Sequence, residues 1–231
     1  YIDTNLTNGS TYYYKIMGVL SVNASPRETA LSVATTYGVP LAAPINLAGS
    51  SGNASVKIKG WSAVTGAIGY KLYWSYTPNF SSGNLLATYT SMPVFPTVAL
   101  PLAGGNGNTY YFKVAAMAPS GDGPLSAQWI GYPFVVPSTP TYAVGDGSVM
   151  LSWSAPGGKT FKIYRNSLGT TATLTATTSD ILLNSNADIT TTNYSDSTAL
   201  NGTNYYYKIV AYNQAGEYLI SAQTVAVNPI G

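Results

Sequence analysis

One phrase occurs three times in this chain: NGSTYYYKI from Asn8 to Ile16, NGNTYYFKV from Asn106 to Val114, and NGTNYYYKI from Asn201 to Ile209. The copies are offset by about 98 and 95 residues, the size of a small β-sandwich domain. Whatever the chain folds into must therefore build one local structure repeatedly at a domain-sized period. The phrase defines that structure. Asn-Gly supplies a tight turn with a residue at positive φ, and the run behind it alternates in a period of two. Tyr12, Tyr14 and Ile16 point one way, Tyr13 and Lys15 the other. The equivalent inward sets are Tyr110, Phe112 and Val114, then Tyr205, Tyr207 and Ile209. A half-buried antiparallel strand has this pattern.

A second unit recurs upstream of the later two copies. NASVKIKGWSAVTGAIGYKLYW runs from Asn53 to Trp74, and GSVMLSWSAPGGKTFKIYR from Gly147 to Arg165. Each reads as an alternating strand ending near a Trp, a Gly- or Pro-rich turn, and another strand. Trp61 and Trp153 are the expected core anchors. Downstream of each tyrosine strand come a turn and a last strand: NASPRETALSVATT, APSGDGPLSAQWI and NQAGEYLISAQTVAV. Short Pro-marked linkers, Gly38–Pro44 and Tyr132–Pro140, separate the units and predict a stiff connection. No segment sustains a helical period, so the expected fold is all-β.

Over essentially its whole length the chain resembles tandem fibronectin type III modules of a secreted or cell-surface prokaryotic protein. The run Leu6, Asn8, Gly9, Ser10, Tyr12 is similar to the turn before that family's sixth strand. The Trp61 and Trp153 strands are similar to its second strand. The resemblance implies immunoglobulin-like β-sandwiches in which Tyr12, Tyr110 and Tyr205 are tyrosine-corner residues bonding upstream backbone. It also implies a division into residues 1–39, holding the C-terminal strands of a partial module, and complete modules at 40–137 and 138–231. The nearest string to an integrin-binding RGD is SGDG at Ser120–Gly123, which lacks the Arg, so that activity does not carry over. A lone hairpin is marginal in water. The face of Tyr12, Tyr14 and Ile16 therefore requires cover, from an upstream part of the same chain or from another subunit. Tyr1–Gly9 has no leader character, and the chain is expected to be a mature or internal fragment.

Composition narrows the functions. The ten basic and eight acidic residues are scattered, net charge is +2, and no basic stripe exists to hold phosphates, so nucleic acid is not an expected partner. No stretch approaches the roughly 18 apolar residues that a membrane span needs. His and Cys are both absent, which excludes the common triads and thiol sites, and no cofactor is expected. Only 8% of residues are charged. A neutral surface rich in Tyr, Thr, Ser and Asn points to an extracellular or cell-surface location. With so few groups titrating between neutral and strongly acid pH, the fold should tolerate acid.

The remaining candidates for chemistry are sparse. Asp180, Asp188 and Asp196 are spaced by eight and could be imagined as metal or acid–base carboxylates, but turn roles explain them better. Asp3 and Asp196 each lie two residues after a Tyr in copies one and three, which favours a structural turn role. Trp74 and Trp129 have Arg165 and Thr224 at the equivalent places of the third unit. They are candidates for stacking on sugar rings or, preferably, for packing against neighbouring modules or subunits. Asn-x-Ser/Thr triplets begin at Asn5, Asn8, Asn23, Asn53, Asn79, Asn193 and Asn201. Asn8 and Asn201 belong to the repeated turn and Pro26 follows the Asn23 triplet; Asn53, Asn79 and Asn193 are the expected glycan carriers in a glycosylating host. The expected function is a non-enzymatic structural segment of a long extracellular protein. It would form a rod in a surface filament, appendage or adhesin, and in a sharper form neighbouring subunits complete one another's sheets. Its partners would be copies of itself or neighbouring modules. The alternative is a spacer or carbohydrate-binding accessory region of a secreted polysaccharide-degrading enzyme.

Overall fold

The computed structural model describes the chain except for residues 23–24, 34, 92–96, 99–104, 170–179 and 185–186. The triplet at Asn23 begins outside the described residues. The chain is all-β, and the one helical element among the described residues is a short 3-10 turn at Ser82–Asn84. Among the described residues no helix is long and apolar enough to cross a membrane. The first strands are β1 (Tyr12–Tyr14), β2 (Val19–Val22), β3 (Ser25–Glu28), β4 (Thr36–Gly38), β5 (Ala48–Gly52) and β6 (Ser55–Gly60). Next come β7 (Gly69–Ser75), β8 (Leu85–Tyr89), β9 (Thr97–Val98), β10 (Tyr110–Ala118), β11 (Gly121–Leu125) and β12 (Trp129–Gly131). The last are β13 (Thr141–Gly145), β14 (Ser148–Ser152), β15 (Thr160–Asn166), β16 (Ile181–Leu182), β17 (Asn193–Asp196), β18 (Tyr206–Tyr212) and β19 (Tyr218–Ile220).

Contacts divide the chain into two compact units. One comprises Tyr1–Ala48, Lys59–Phe95 and Tyr111–Trp129; the other comprises Gly49–Ile58, Pro96–Tyr110 and Ile130–Gly231. In the second unit, sheets of order β13-β14-β17 and β16-β15-β18-β19 make a seven-stranded antiparallel sandwich. Alternation explains its core. Val149 and Leu151 of β14, Phe161 and Ile163 of β15, and Tyr207 and Ile209 of β18 face inward and are fully buried, while Met150 between them is exposed. Trp153 packs edge-on against Phe161 at 5.3 Å. The hairpin joining β13 to β14 turns on two residues, Asp146 and Gly147, with Gly147 at φ 58°, a left-handed backbone that glycine adopts without strain.

In the first unit, β11-β10-β7-β8 form one sheet, with β12 also on β10. Trp61 is buried there against Tyr70 and Tyr89, at 5.4 and 6.0 Å. Two further pairs, β1 with β4 and β2 with β3, are two-stranded. The expected alternation of β1 is present, with Tyr12 and Tyr14 half-buried and Tyr13 exposed, but Ile16 lies beyond the strand and is 78% exposed. Tyr12, expected in a core, is thus only half-buried, because its strand pairs with β4 alone in the described sheet.

A serine interrupts the ladder after each tyrosine strand. Ser32, Ser126 and Ser221 accept from the amides of Ile16, Val114 and Ile209 through their hydroxyls, at 3.2, 3.1 and 2.9 Å. Each returns its own N–H to the same residue's carbonyl, at 2.8, 2.8 and 2.9 Å. The hydroxyl replaces a backbone acceptor, so the last strand can veer off its neighbour without orphaning a buried amide.

Candidate functional site

The repeated Asn-Gly turn is where the three copies agree most closely. Gly9, Gly107 and Gly202 have φ of 81°, 89° and 74°, a region that costs an L residue strain. Their amides donate to the carbonyls of Pro40, Pro133 and Pro229, at 2.8, 2.8 and 3.0 Å. Each turn therefore holds a proline that follows it by about 30 residues in the same sequence repeat. The Asn before the glycine has a separate task. The Oδ1 atoms of Asn106 and Asn201 accept from Ala54 N and Gly147 N, both at 2.8 Å, pinning the β5–β6 and β13–β14 hairpins. The side chain of Asn201 is thus engaged, also donating to Asp146 at 2.7 Å.

Behind the turn, the tyrosine hydroxyls reach backbone five residues upstream. Tyr12 accepts from Thr7 N at 2.9 Å, Tyr205 accepts from Leu200 N at 3.2 Å, and Tyr110 donates to Gly105 O at 3.2 Å. Tyr110 and Tyr205 are buried. Ala199, not Leu200, takes the buried place before the third turn, and Leu200 is 66% exposed.

The first two linkers are bonded a second time by a hairpin loop of the sequence repeat that follows. Within the first compact unit, Val39 N donates to Ser120 Oγ in the β10–β11 turn at 2.9 Å. Within the second, Asn213 Nδ2 of the β18–β19 turn donates to Tyr132 O at 3.0 Å. Glu217 adds to this, accepting from Ser51 N and from Asn213 Nδ2, both at 2.8 Å. Val39 and Tyr132 each immediately precede the linker proline. Each of these two linkers is therefore bonded by the Asn-Gly turn of the sequence repeat before it and by a hairpin loop of the repeat after it.

At the same two joints glycine meets glycine. A Cβ on Gly9 would sit 2.9 Å from Thr65 Cγ2, and one on Gly66 would strike Gly9 Cα. A Cβ on Gly157 would sit 2.8 Å from Gly107 N and 3.0 Å from Phe134 Cβ. Gly66 and Gly157 occupy the turn after each buried Trp, so the Trp strand of one repeat is set against the Asn-Gly turn of the one before.

The strongest electrostatic feature is one that sequence reasoning missed. Arg165, opposite Tyr207 across β15 and β18, is buried and donates from Nη1 to Asp196 Oδ2 at 2.7 Å and to Thr198 Oγ1 at 3.0 Å. The Tyr207 hydroxyl donates to the same Oδ2 at 3.0 Å, and the Arg165 guanidinium lies 4.6 Å from the Tyr205 ring centroid. The other oxygen, Oδ1, accepts from Thr198 N at 2.9 Å and Thr198 Oγ1 at 2.7 Å, the local turn bond expected of such an Asp. Burial opposes the charge on Asp196. The Thr198 bonds, the Arg165 charge and the Tyr207 bond outweigh it and hold the carboxyl below its ordinary value. Burial, then the Asp196 charge, pushes the Tyr207 hydroxyl far above its usual range.

The signal for this cluster lies in the repeats. Tyr14 donates to Asp3 at 3.0 Å, as Tyr207 does to Asp196. In copy two the same positions read Pro101 and Phe112, and Trp74 faces Phe112 where Arg165 faces Tyr207. Asp180 and Asp188 stand apart from this cluster. Asp180 accepts from Asn166 at 2.9 Å and Asp188 is exposed. No group of three His, Cys, Asp or Glu side chains among the described residues is placed to hold a metal ion.

Trp74 and Trp129 are half-buried. Trp129 packs on Phe112 at 5.4 Å, and Trp74 meets exposed Tyr76 edge-on at 5.0 Å. Asn53, Asn79 and Asn193 are exposed. Asn53 accepts a long bond from Asn106, and Asn193 borders an open groove of 510 Å³ between Leu183, Ile189 and Tyr194.

Solved structures include two that are similar to this chain. Chicken CNTN1 FN1-FN3 domains are 15% identical, over 98% of this chain and 80% of that one, with a TM-score of 0.40. An Fn3-like protein from Clostridium thermocellum is 25% identical, over 38% of this chain and 84% of that one, with a TM-score of 0.31. No family model and no curated protein matches the chain.

Proposed function

We propose that this chain is a non-enzymatic structural segment of a long extracellular or cell-surface protein. In this reading a partial module at residues 1–39 and modules at 40–137 and 138–231 form a rod within a surface filament, appendage or adhesin. The joint carries the reading. An Asn-Gly turn bonding an exit proline occurs three times, and the two inner joints add a glycine contact and a second bond from the following hairpin. Such joints restrict bending, which a load-transmitting rod needs and a flexible tether does not. The sequence supplies no histidine or cysteine for common catalysis, and its neutral, Tyr-rich surface suits close packing of subunits.

In the sharper form of this reading, a strand from a neighbouring subunit covers the half-buried face of Tyr12 and Tyr14 by edge pairing. Electron microscopy of the native material tests the main reading: filaments or extended rods support it, and compact single particles refute it. Sedimentation tests the sharper form, which a strictly monomeric and stable chain rules out. The adjoining Trp74 and Tyr76 rings favour the second reading, carbohydrate attachment beside a polysaccharide-degrading enzyme. Retention on insoluble glycan, lost in Trp74→Ala, would support it.

A further inference from the structure

We propose that Asn201 is a latent site of spontaneous deamidation that the folded sandwich holds closed, and that modification there unfastens the β13–β14 hairpin. Asn106 carries the same chemistry with a milder outcome. The inference goes beyond the rod reading and does not depend on it.

An asparagine followed by glycine can lose its side-chain amide without an enzyme, because a residue with no Cβ leaves the next backbone nitrogen open to approach. That nitrogen attacks Asn Cγ, the bond from Cγ to Nδ2 breaks, and Nδ2 leaves as ammonia with the proton that the glycine amide gives up. Water then opens the cyclic imide at one of its two carbonyls, giving aspartate or isoaspartate. Asn106-Gly107 and Asn201-Gly202 are such pairs. In both, the two reacting groups are committed elsewhere. Gly107 N and Gly202 N donate to Pro133 O and Pro229 O, at 2.8 and 3.0 Å. Asn106 Oδ1 and Asn201 Oδ1 accept from Ala54 N and Gly147 N, both at 2.8 Å. Attack requires the carboxamide to leave its hairpin and the glycine amide to leave its proline, so the reaction must wait for local opening.

The facing group decides what the product does. Asn201 Nδ2 donates to Asp146 Oδ1 at 2.7 Å. An aspartate formed here puts an oxygen where the donor was and sets one carboxylate against another. Like charges this close repel, and the hydrogen bond that joined the two side chains is lost. Asp146 and Gly147 are the turn of the β13–β14 hairpin, so the strain falls on the strand that carries Val149 and Leu151 into the core. At Asn106 the facing group is neutral. Its Nδ2 reaches Asn53 Oδ1 over a long 3.4 Å, and the oxygen that accepts from Ala54 N is kept in the product.

The test incubates the full chain in mildly alkaline buffer, with and without guanidinium chloride, and digests it for mass spectrometry that separates the Asn, Asp and isoaspartate peptides. Deamidation at Asn106 and Asn201 should be at least about tenfold slower in the folded chain. Asp146→Ala, which releases Asn201 Nδ2, should speed the reaction at Asn201, with Asn106 as the internal reference. Asn201→Asp represents the product. Its β18 amides should exchange at least about tenfold faster than in the original chain, whereas Asn106→Asp should change exchange in its own strand, β10, by less than about threefold. Adding Asp146→Asn to Asn201→Asp should restore the protection, because one carboxylate then becomes a donor to the other. Equal deamidation rates in the folded and denatured chain overturn the proposal. So does unchanged exchange in Asn201→Asp, or a loss that Asp146→Asn does not restore, since the facing carboxylates would then not be its cause. Neither measurement reads filament formation, so failure here leaves the rod reading standing.

Discussion

Removing the Asp196 carboxylate should be among the most damaging single changes available to the second compact unit. In Asp196→Ala the guanidinium of Arg165, 9% exposed as a side chain, loses its counter-charge, and Tyr207 and Thr198 lose an acceptor. An uncompensated charge at such a site costs about 3–5 kcal/mol, and Arg165→Met should cost a similar amount by stranding Asp196, which is 1% exposed. The double variant Arg165→Met/Asp196→Leu removes both charges. It should lie within about 1–2 kcal/mol of the original, since buried pairs often break even against well-packed apolar groups. The two changes should therefore be strongly non-additive, with a coupling of several kcal/mol. Because the chain has two units, a single melting temperature is not a clean measure. Native-state hydrogen exchange at the β18 amides reports the opening free energy of this sandwich directly. A loss below about 1 kcal/mol in Asp196→Ala, or a double variant as poor as the two single losses summed, would show that the pair is not desolvated as its burial requires.

Alkaline pH should act through Tyr207. Its folded pKa is raised, so the unfolded chain releases this proton first, near pH 10, and stability then falls by about 1.4 kcal/mol per pH unit until the folded pKa is reached. Denaturant titrations between pH 9 and 11 should show a slope that Tyr207→Phe reduces by about one proton. On the acid side Asp196 is depressed, so its contribution is fully present above about pH 3.9 and is lost only as pH falls through the lower folded value. With eight acidic residues and no histidine, melting should change little from about pH 7 to 4, and a collapse in that range would contradict the assignment. Gly157→Val should destabilise by about 1–3 kcal/mol in urea titrations, since its φ is +84° and the new side chain would press on Gly107 and Phe134. Gly202→Ala, with open space around it, should cost only its backbone strain, about 1 kcal/mol. In a glycosylating host, peptide mass spectrometry should find glycan on Asn53, Asn79 and Asn193 and none on Asn201, whose amide is held by Asp146 and Gly147.

The strands were legible in the sequence because periodicity and turn chemistry are local. The alternation of β10 and β18 follows from Tyr110, Phe112 and Val114 and from Tyr205, Tyr207 and Ile209, and the structure buries all six. Ile16 breaks that analogy for a reason no local pattern contains: burial depends on an opposing layer, and beyond β1 the chain supplies none among the described residues. The joints were half legible. Pro-marked linkers were visible, but the bond from each turn glycine to the next proline spans about 30 residues in each copy and needs the fold to close it. The paired roles of Gly66 and Gly157 were hidden for a further reason. A glycine at a turn is explained by φ alone, and only its neighbours reveal that a side chain would not fit.

The role of Arg165 is visible only when the repeats are compared position by position. Where a chain builds one sandwich twice, a position that changes type must change with its surroundings, since a half-exchanged site leaves a buried charge or an unfilled space. Copy two places Trp74 beside Phe112 and Trp129, filling the site with rings. Copy three places Arg165 beside Tyr207, with Asp196 and Thr198 accepting from its Nη1 while its buried Nε has no partner among the described residues, and with Thr224 where Trp129 would be. Copy one retains the Asp3 and Tyr14 pair of the polar form. Neither form is required by the fold, because both fill the same place between equivalent strands. Exchanging Arg165, Tyr207 and Asp196 together for apolar residues should therefore keep the sandwich near its original stability, while exchanging Arg165 or Asp196 alone should lower that stability by several kcal/mol.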